Sequence, residues 1–245
     1  MTDTFLKQMS LELGELGLSL DNRQMEQFYL YYEMLVEKNK VMNLTAITEE
    51  SDVVTKHFCD SLSLLKAFPE LPSFSDFSVI DVGTGAGFPG IPLKIAFPQI
   101  KVTLLDSLNK RIHFLEEVCN ALGLEHVSCV HGRAEDIGRM EGHREVYDLC
   151  VSRAVANMSS LLEYCMPFVK KNGYFVPYKS GEIEAELKSA ERAVGILGGE
   201  LEKVVKFMLP GSDVSRCLVP VKKVKNTPKK YPRKAGMPTK EPLGK

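Results

Sequence analysis

No stretch of the chain approaches the ~18 consecutive apolar residues that a membrane-spanning helix needs. The opening segment, MTDTFLKQMSLELGELG, carries acids and lacks a continuous apolar core, which reads against a secretory signal. Six cysteines are present (Cys59, Cys119, Cys129, Cys150, Cys165, Cys217), but no pair has C-x-x-C spacing. That argues against a structural zinc site or a redox pair, and leaves small buried hydrophobes in a reducing cytosol. No internal repeat and no heptad pattern is found, so solenoids and coiled coils are excluded and a monomer is expected. What remains is ordinary globular composition: 245 residues, 44% hydrophobic and 26% charged. That is enough for one large domain, or one domain with an extension.

Net charge is small overall, and the excess of positive charge is concentrated at one end. The net charge is -1, yet positions 222–245 hold nine basic residues against one acid, a local +8 on a body of -9. An acidic body with a basic tail is the footprint of a phosphate-rich partner, although a merely solubilising tail would look the same. Four prolines are expected to keep the tail extended, and Tyr231 among cations could stack on a base.

Positions 1–72 read as a helical N-terminal extension. Asp21 can cap a helix in which Met25, Phe28, Leu30, Tyr32, Leu35 and Val36 recur near a 3.6 period. A second helix is expected from Ser51 until Pro69 and Pro72 end it. Positions 73–224 change pattern. Five β-branched runs, FSVIDV, KVTLLD, HVSCVH, YDLCVSRA and YFVPYK, alternate with amphipathic stretches. Such alternation predicts βαβ units and a parallel sheet covered on both faces, a Rossmann-like α/β fold. EKVVKFML and RCLVPVKK follow without a long helix between them and are expected to pair antiparallel. Positions 225–245 form the basic, Pro-rich tail.

The sharpest local signal is DVGTGAGFPG at 81–90, between a predicted strand and a predicted helix. Glycines there admit positive φ and close approach of a ligand. Two registers fit. Positions 85–90 satisfy the G-x-G-x-x-G dinucleotide pattern. Positions 83–87 give G-x-G-x-G with Asp81 two residues ahead, which resembles the first motif of class I methyltransferases, binders of S-adenosylmethionine. A pyrophosphate wants a bare helix N-terminus, whereas the sulfonium and amino group of S-adenosylmethionine would suit Asp81. Asp106 ends the next strand, where an acid can accept ribose hydroxyls from either cofactor. An acid in RAEDI (133–137) can reach an adenine amino group, or simply sit in a helix first turn. Arg153, in VSRAV, falls at the end of the fourth strand, where ligands of doubly wound sheets bind. Lys179 ends the fifth strand near the same cleft. His57 is read as a packed or exposed helix histidine, with a cleft-facing role as the alternative.

Several reactions lack their usual groups. No N-P-P-Y segment follows the fourth strand, no Pro-Cys pair marks a pyrimidine C5 enzyme, and no metal-ligand cluster marks a catechol-type O-methylase. Guanine N7 suits this poverty, because its lone pair needs no deprotonation and positioning would suffice.

The segments NLTAI (43–47), HFCDSL (57–62), DVGTGAGFPGIPL (81–93), TLLDSLNKRIHFL (103–115), RAE (133–135), SRAVA (152–156) and KKYPRKAGMPTKEPL (229–243) together resemble the RsmG (GidB) family. That family comprises the bacterial 16S ribosomal RNA guanine-N7 methyltransferases. The resemblance implies a class I methyltransferase core, sheet order 3-2-1-4-5-7-6, with a helical N-terminal extension. It implies methyl transfer from S-adenosylmethionine, leaving S-adenosylhomocysteine, to N7 of the guanine at nucleotide 527, in the cytoplasm, with no metal and no dedicated general base. By motif position it places cofactor contacts on Gly83, Phe88, Asp106, Ser107, Leu108, Ala134, Glu135 and Arg153. Lys179, Lys229, Lys230, Tyr231, Arg233 and Lys234 are the candidates for RNA contact, the partner being 16S rRNA in the small subunit or an assembly intermediate. Three alternatives stay open at this point: a small-molecule methyltransferase, an NAD-type dehydrogenase using the other glycine register, and a silent RNA binder with a cofactor pocket.

Overall fold

The computed structural model describes residues 1–153 and 156–244. Helices open the chain. Thr2 caps α1 (Asp3–Glu15), its hydroxyl accepting the Phe5 amide at 3.0 Å. Asp21 caps α2 (Asn22–Met42) in a reciprocal box: its carboxylate accepts the Gln24 amide and Gln24 accepts the Asp21 amide. Met25, Phe28, Tyr31 and Leu35 form the buried stripe of α2. Leu30, expected on that stripe, is 39% exposed, while Tyr31 is fully buried. Met25, Phe28 and Leu35 keep the expected phase, and Tyr31 takes the place expected of Leu30.

A composite helical segment follows: α3 (Glu50–Val53), a π-helical turn (Val54–Cys59), α4 (Asp60–Leu62) and a 3-10 turn (Ser63–Lys66). The wider turn re-aims the side chains around His57 and Asp60 relative to a uniform α-helix.

The sheet begins with β1 (Ser78–Val82), followed by α5 (Gly90–Ala96), β2 (Lys101–Asp106), α6 (Asn109–Ala121), β3 (Val127–His131), α7 (Ala134–Ile137), β4 (Tyr147–Ser152), α8 (Met158–Cys165), β5 (Val169–Ser180) and α9 (Glu184–Ile196). Four shorter strands complete it: β6 (Gly199–Leu201), β7 (Val205–Met208), β8 (Ser215–Leu218) and β9 (Val221–Lys223). The main path runs β3-β2-β1-β4-β5-β8-β7, parallel through β5, then antiparallel. With β6 and β9, which lie off this path, set aside, β7 and β8 are the sixth and seventh strands and the order is the expected 3-2-1-4-5-7-6, with their antiparallel pair at the edge.

RCLVPVKK, expected as one strand, is two. β8 pairs with the end of β5 at Tyr178–Ser180, β9 pairs with its middle at Tyr174 and Phe175, and Pro220 lies between. Proline has no N–H to continue the ladder. β6, which the sequence did not announce, pairs with β9.

Successive strand residues face opposite layers. Val79, Leu104 and Val151 join one apolar cluster with Phe5, Phe28, Phe58, Leu93 and Phe114. Ile80, Val82 and Cys150 join the other, with Leu162, Phe168 and Ala190. The N-terminal helices therefore share a core with one face of the sheet. Each fully buried phenylalanine there contributes roughly 1.5–3 kcal/mol by its removal from water. The chain's closing segment lies against the opposite layer, ending in α10 (Met237–Lys240).

Candidate active site

Two cavities open at the C-terminal side of the parallel strands. The first, of about 350 Å³, is lined by Gly83, Asp106, Ser107, Ala134, Glu135 and Tyr164, among others. Gly83 and Gly85 adopt φ of +72° and +63°, which favours glycine at both positions. The backbone turns there so that Gly83 and Thr84 both donate to the Leu105 carbonyl, at 2.9 and 3.1 Å. Asp106 is 3% exposed. Its Oδ2 accepts the Gly85 amide at 3.0 Å and its Oδ1 accepts the Leu108 amide at 2.9 Å. Arg111, a cation on α6, reaches the same carboxylate at 3.3 Å. The acid at the end of β2 is therefore pre-oriented by the loop it faces.

Asp81 lies beneath this cleft and does not line it. It is fully buried, and burial lifts its carboxyl to about 6. Its Oδ2 accepts from the Thr84 hydroxyl at 2.7 Å and from the Gly90 amide at 2.8 Å. Its role is to clamp the loop to the start of α5. The close fit shows at Gly90, where a Cβ would stand 2.3 Å from Leu104 Cδ2 and 3.0 Å from Asp81 Oδ2. The N-terminal extension also grips the loop: Tyr31 donates to the Ala86 carbonyl at 2.6 Å, and a Cβ on Gly87 would lie 2.6 Å from the Tyr31 oxygen.

Five of the eight expected cofactor residues, Gly83, Asp106, Ser107, Ala134 and Glu135, meet in this first cleft. Leu108 adjoins it through its amide, with its side chain 43% exposed. Phe88 and Arg153 do not line it. They belong to the second cavity's surroundings, where Arg153 lies over the Phe88 ring at 5.0 Å and His57 stacks on the same ring at 4.5 Å.

The second cavity, of about 710 Å³, is lined by Lys56, His57, Asp60, Arg153, Lys179 and Arg216, with other residues of the same segments. Asp60 is 1% exposed and sits between two guanidiniums. Arg153 Nη1 reaches its Oδ2 at 3.0 Å, and Arg216 Nε reaches its Oδ1 at 3.1 Å. Arg153 Nη2 approaches His57 Nδ1 at 3.2 Å. A guanidinium only donates, so Nδ1 accepts and the ring proton sits on Nε2, which donates to Thr45 Oγ1 at 2.8 Å. Burial, reinforced by the Arg153 charge, lowers His57 to about 3. It is a neutral ring with both nitrogens engaged. Lys179 donates to the Ala156 carbonyl at 2.7 Å and to Glu186 at 2.8 Å. Within SRAVA, Ala154 and Val155 lie outside the described residues.

The sequence did not single out Asp60, Arg216, Lys56, Thr45 or Tyr31. Asp60 lies inside the quoted HFCDSL segment, but no spacing announces that it meets Arg216, 156 positions away.

The basic tail is not extended. Tyr231 is 7% exposed and packs into the second apolar cluster, so its ring is not offered for stacking on a base. Arg233 forks onto Glu163, which is fully buried, at 2.7–3.1 Å. Both expectations for these residues are corrected, each for its own reason: a buried carboxylate needs a cation, and an aromatic ring is favoured by leaving water. Arg144 holds the Tyr231 and Thr227 carbonyls, and Arg139 holds that of Pro232. Lys229, Lys230 and Lys234 stay exposed. Among the described residues no group of three or more metal-ligating side chains is assembled, and no helix is long and apolar enough to cross a membrane.

Sheet order and the cleft over the first glycine loop define the class I methyltransferase fold. Solved structures share it: Methanococcus jannaschii TYW2 in complex with AdoMet aligns with a TM-score of 0.51 at 17% identity, over 64% of this chain and 74% of that one. MtNAS in complex with MTA and tNA aligns at 0.53 and 19%, over 82% and 74%. Within that fold the GidB family model, described as rRNA small subunit methyltransferase G, matches residues 24–218. Proteins named Ribosomal RNA small subunit methyltransferase G are 55% identical in Lachnoclostridium phytofermentans, over 94% of each chain, and 49% identical in Bacillus subtilis, over 97% of this chain and 98% of that one. The chain belongs to the GidB family.

Proposed function

We propose that this protein transfers a methyl group from S-adenosylmethionine to N7 of the guanine at nucleotide 527 of 16S rRNA, in the cytoplasm, as a monomer. The observation that carries the reading is the pairing of two cavities around one glycine loop. One is ended by acids suited to a nucleoside, the other is rich in cations. Membership of a family named for ribosomal RNA methylation supports the substrate class.

The residues of the first cleft fit the cofactor. Asp106 is held by loop amides with its carboxylate at the cleft wall, suited to two ribose hydroxyls. Glu135 has Oε2 without a hydrogen-bond partner among the described residues, suited to an adenine amino group. Gly83 lines the cleft without a side chain, which leaves room for the amino-acid portion. The dinucleotide register fits less well. The Gly90 amide at the start of α5, which a diphosphate would use, is already taken by the buried Asp81 carboxylate.

When bound, S-adenosylmethionine supplies an electrophilic methyl on a positive sulfur. The chain's part is alignment. The second cavity receives the guanine, and Lys56, Lys179 and Arg216 turn positive charge toward the entering nucleotide. His57 is not offered as a base, since both ring nitrogens are bonded, and N7 needs none. Lys229, Lys230 and Lys234 extend the cationic surface toward the rRNA. Tyr231 and Arg233 hold that surface in place.

The test uses small subunits from cells lacking this gene, the purified protein and methyl-labelled S-adenosylmethionine, with N7-methylguanine mapped by borohydride–aniline cleavage. One new cut at nucleotide 527 is the expected result. Label on naked RNA but not on subunits would place the substrate early in assembly. Absence of label on both, with cofactor shown bound, would overturn the substrate assignment.

A further inference from the structure

The closing segment touches the cofactor cleft from behind. Gly236 donates its amide to Glu135 Oε1 at 3.0 Å. The Thr239 and Tyr164 hydroxyls bond at 2.7 Å. Ser160 donates to the Pro238 carbonyl at 2.7 Å, and Glu163 holds Arg233. Glu135 and Tyr164 line the first cleft, as does Leu161. Helix α8 thus presents Leu161 and Tyr164 to the cleft while Ser160, Glu163 and Tyr164 bond the strap. Among the described residues neither Glu135 nor Tyr164 has any other side-chain hydrogen bond. Without the strap each would lose its one side-chain hydrogen bond, and Tyr164 would keep only its packing against the second apolar cluster.

From these contacts we infer that residues 236–239 are positioning residues for the cofactor, an outer wall that fixes Glu135 and Tyr164 in the orientation the cleft requires. The inference rests on the cofactor reading above. Its physical basis is preorganisation: side chains already fixed need not be ordered when the ligand binds. The segment carrying the exposed lysines is the segment that holds the cleft, so the two properties share one element.

Full-length variants test it, with S-adenosylhomocysteine titrated by calorimetry and the thermal midpoint of the ligand-free protein measured alongside. Thr239→Val and Tyr164→Phe each remove one end of a single bond. Each is expected to raise the Kd about fivefold, the effect of one hydrogen bond. The double variant should show the same fivefold, not the product, because both ends serve one bond. Thr239→Ser, which keeps the hydroxyl, should restore parental affinity. A Kd within twofold of the parent in Thr239→Val and Tyr164→Phe, whatever the midpoint does, overturns the inference and leaves the strap a purely structural brace. If the parent chain itself binds no S-adenosylhomocysteine, the cofactor reading fails, and this inference with it.

Discussion

The two cavities are built on opposite principles. The first is assembled mostly from the ends of adjacent strands of one parallel sheet, in the short segments 82–83, 105–107 and 132–135, with Arg111, Ser152 and two residues of α8, Leu161 and Tyr164, completing its lining. The second draws on Lys56, His57 and Asp60 from the N-terminal helices, Arg153 from the end of β4, Lys179 from β5 and Arg216 from β8. Backbone geometry shapes the one, through positive-φ glycines and loop amides on Asp106. Side-chain charge shapes the other, through a carboxylate shared by two arginines. A site made of backbone at strand ends can be written as a motif. A site made of distant side chains exists only once the chain is folded.

This contrast can be broken at either cavity. The largest expected effect is at Asp60. Asp60→Ala leaves two guanidiniums facing each other without their common anion, and should cost about 3–5 kcal/mol in denaturant unfolding. Methyl transfer should fall with it. Parental stability would mean the arginines find other partners.

At the other cavity, Asp106→Ala should spare overall stability more than it spares ligand binding. Loss of charge-assisted bonds to two ribose hydroxyls, about 1.5–3 kcal/mol each, predicts a rise of about a hundredfold or more in the Kd for S-adenosylhomocysteine. Undiminished affinity would remove Asp106 from the ribose site.

A third prediction concerns pH and distinguishes the two cavities by His57. Its folded value near 3 lies below the ordinary 6.5, so the unfolded chain takes up the proton first. His57 therefore contributes stability above pH 6.5 that is lost as pH falls from there toward 3. By pH 5 the loss is about 2 kcal/mol. His57→Gln, which cannot titrate, should lose correspondingly less stability between pH 7 and pH 5 in urea melts. Equal losses in the two proteins would show that the ring is not held neutral.

The smallest effect on either cavity is expected from Lys229, Lys230 and Lys234 changed together to alanine. These exposed cations touch neither cavity, so cofactor affinity should hold. RNA binding should lose salt dependence, by roughly 0.7–0.9 in the log–log slope per phosphate contact removed. An unchanged slope would place the RNA elsewhere on the surface.

Much of the scaffold was legible in the sequence. The run KVTLLD coincides with β2, and Asp21 caps α2 as its position suggested. Both depend on interactions within a few residues, which a linear pattern records. The parallel sheet follows from the alternation of strands and helices, while the order of its strands was implied only by the family resemblance. The failures have physical causes too. Leu30 and Tyr31 exchange places because a tyrosine hydroxyl can reach the Ala86 carbonyl, so the larger ring can be buried without an unpaired polar group. The tail looked solvated because its composition is basic, while its docking depends on Glu163, a carboxylate whose burial no local pattern reveals. Phe88 sits in the glycine motif, yet its ring faces the N-terminal helices, stacking with His57 and packing near Tyr31.

By itself, then, the sequence determined the α/β class, the glycine turn and the acid at the end of β2, because each is specified by residues close together in the chain and by backbone conformations few residue types allow. Only the tertiary structure decided that Asp60 joins Arg153 to Arg216, that the N-terminal helices wall the second cavity, and that the basic tail braces the first. Those depend on which charges and apolar faces meet after folding, and a buried charge selects its partner by proximity in space, at any distance along the chain.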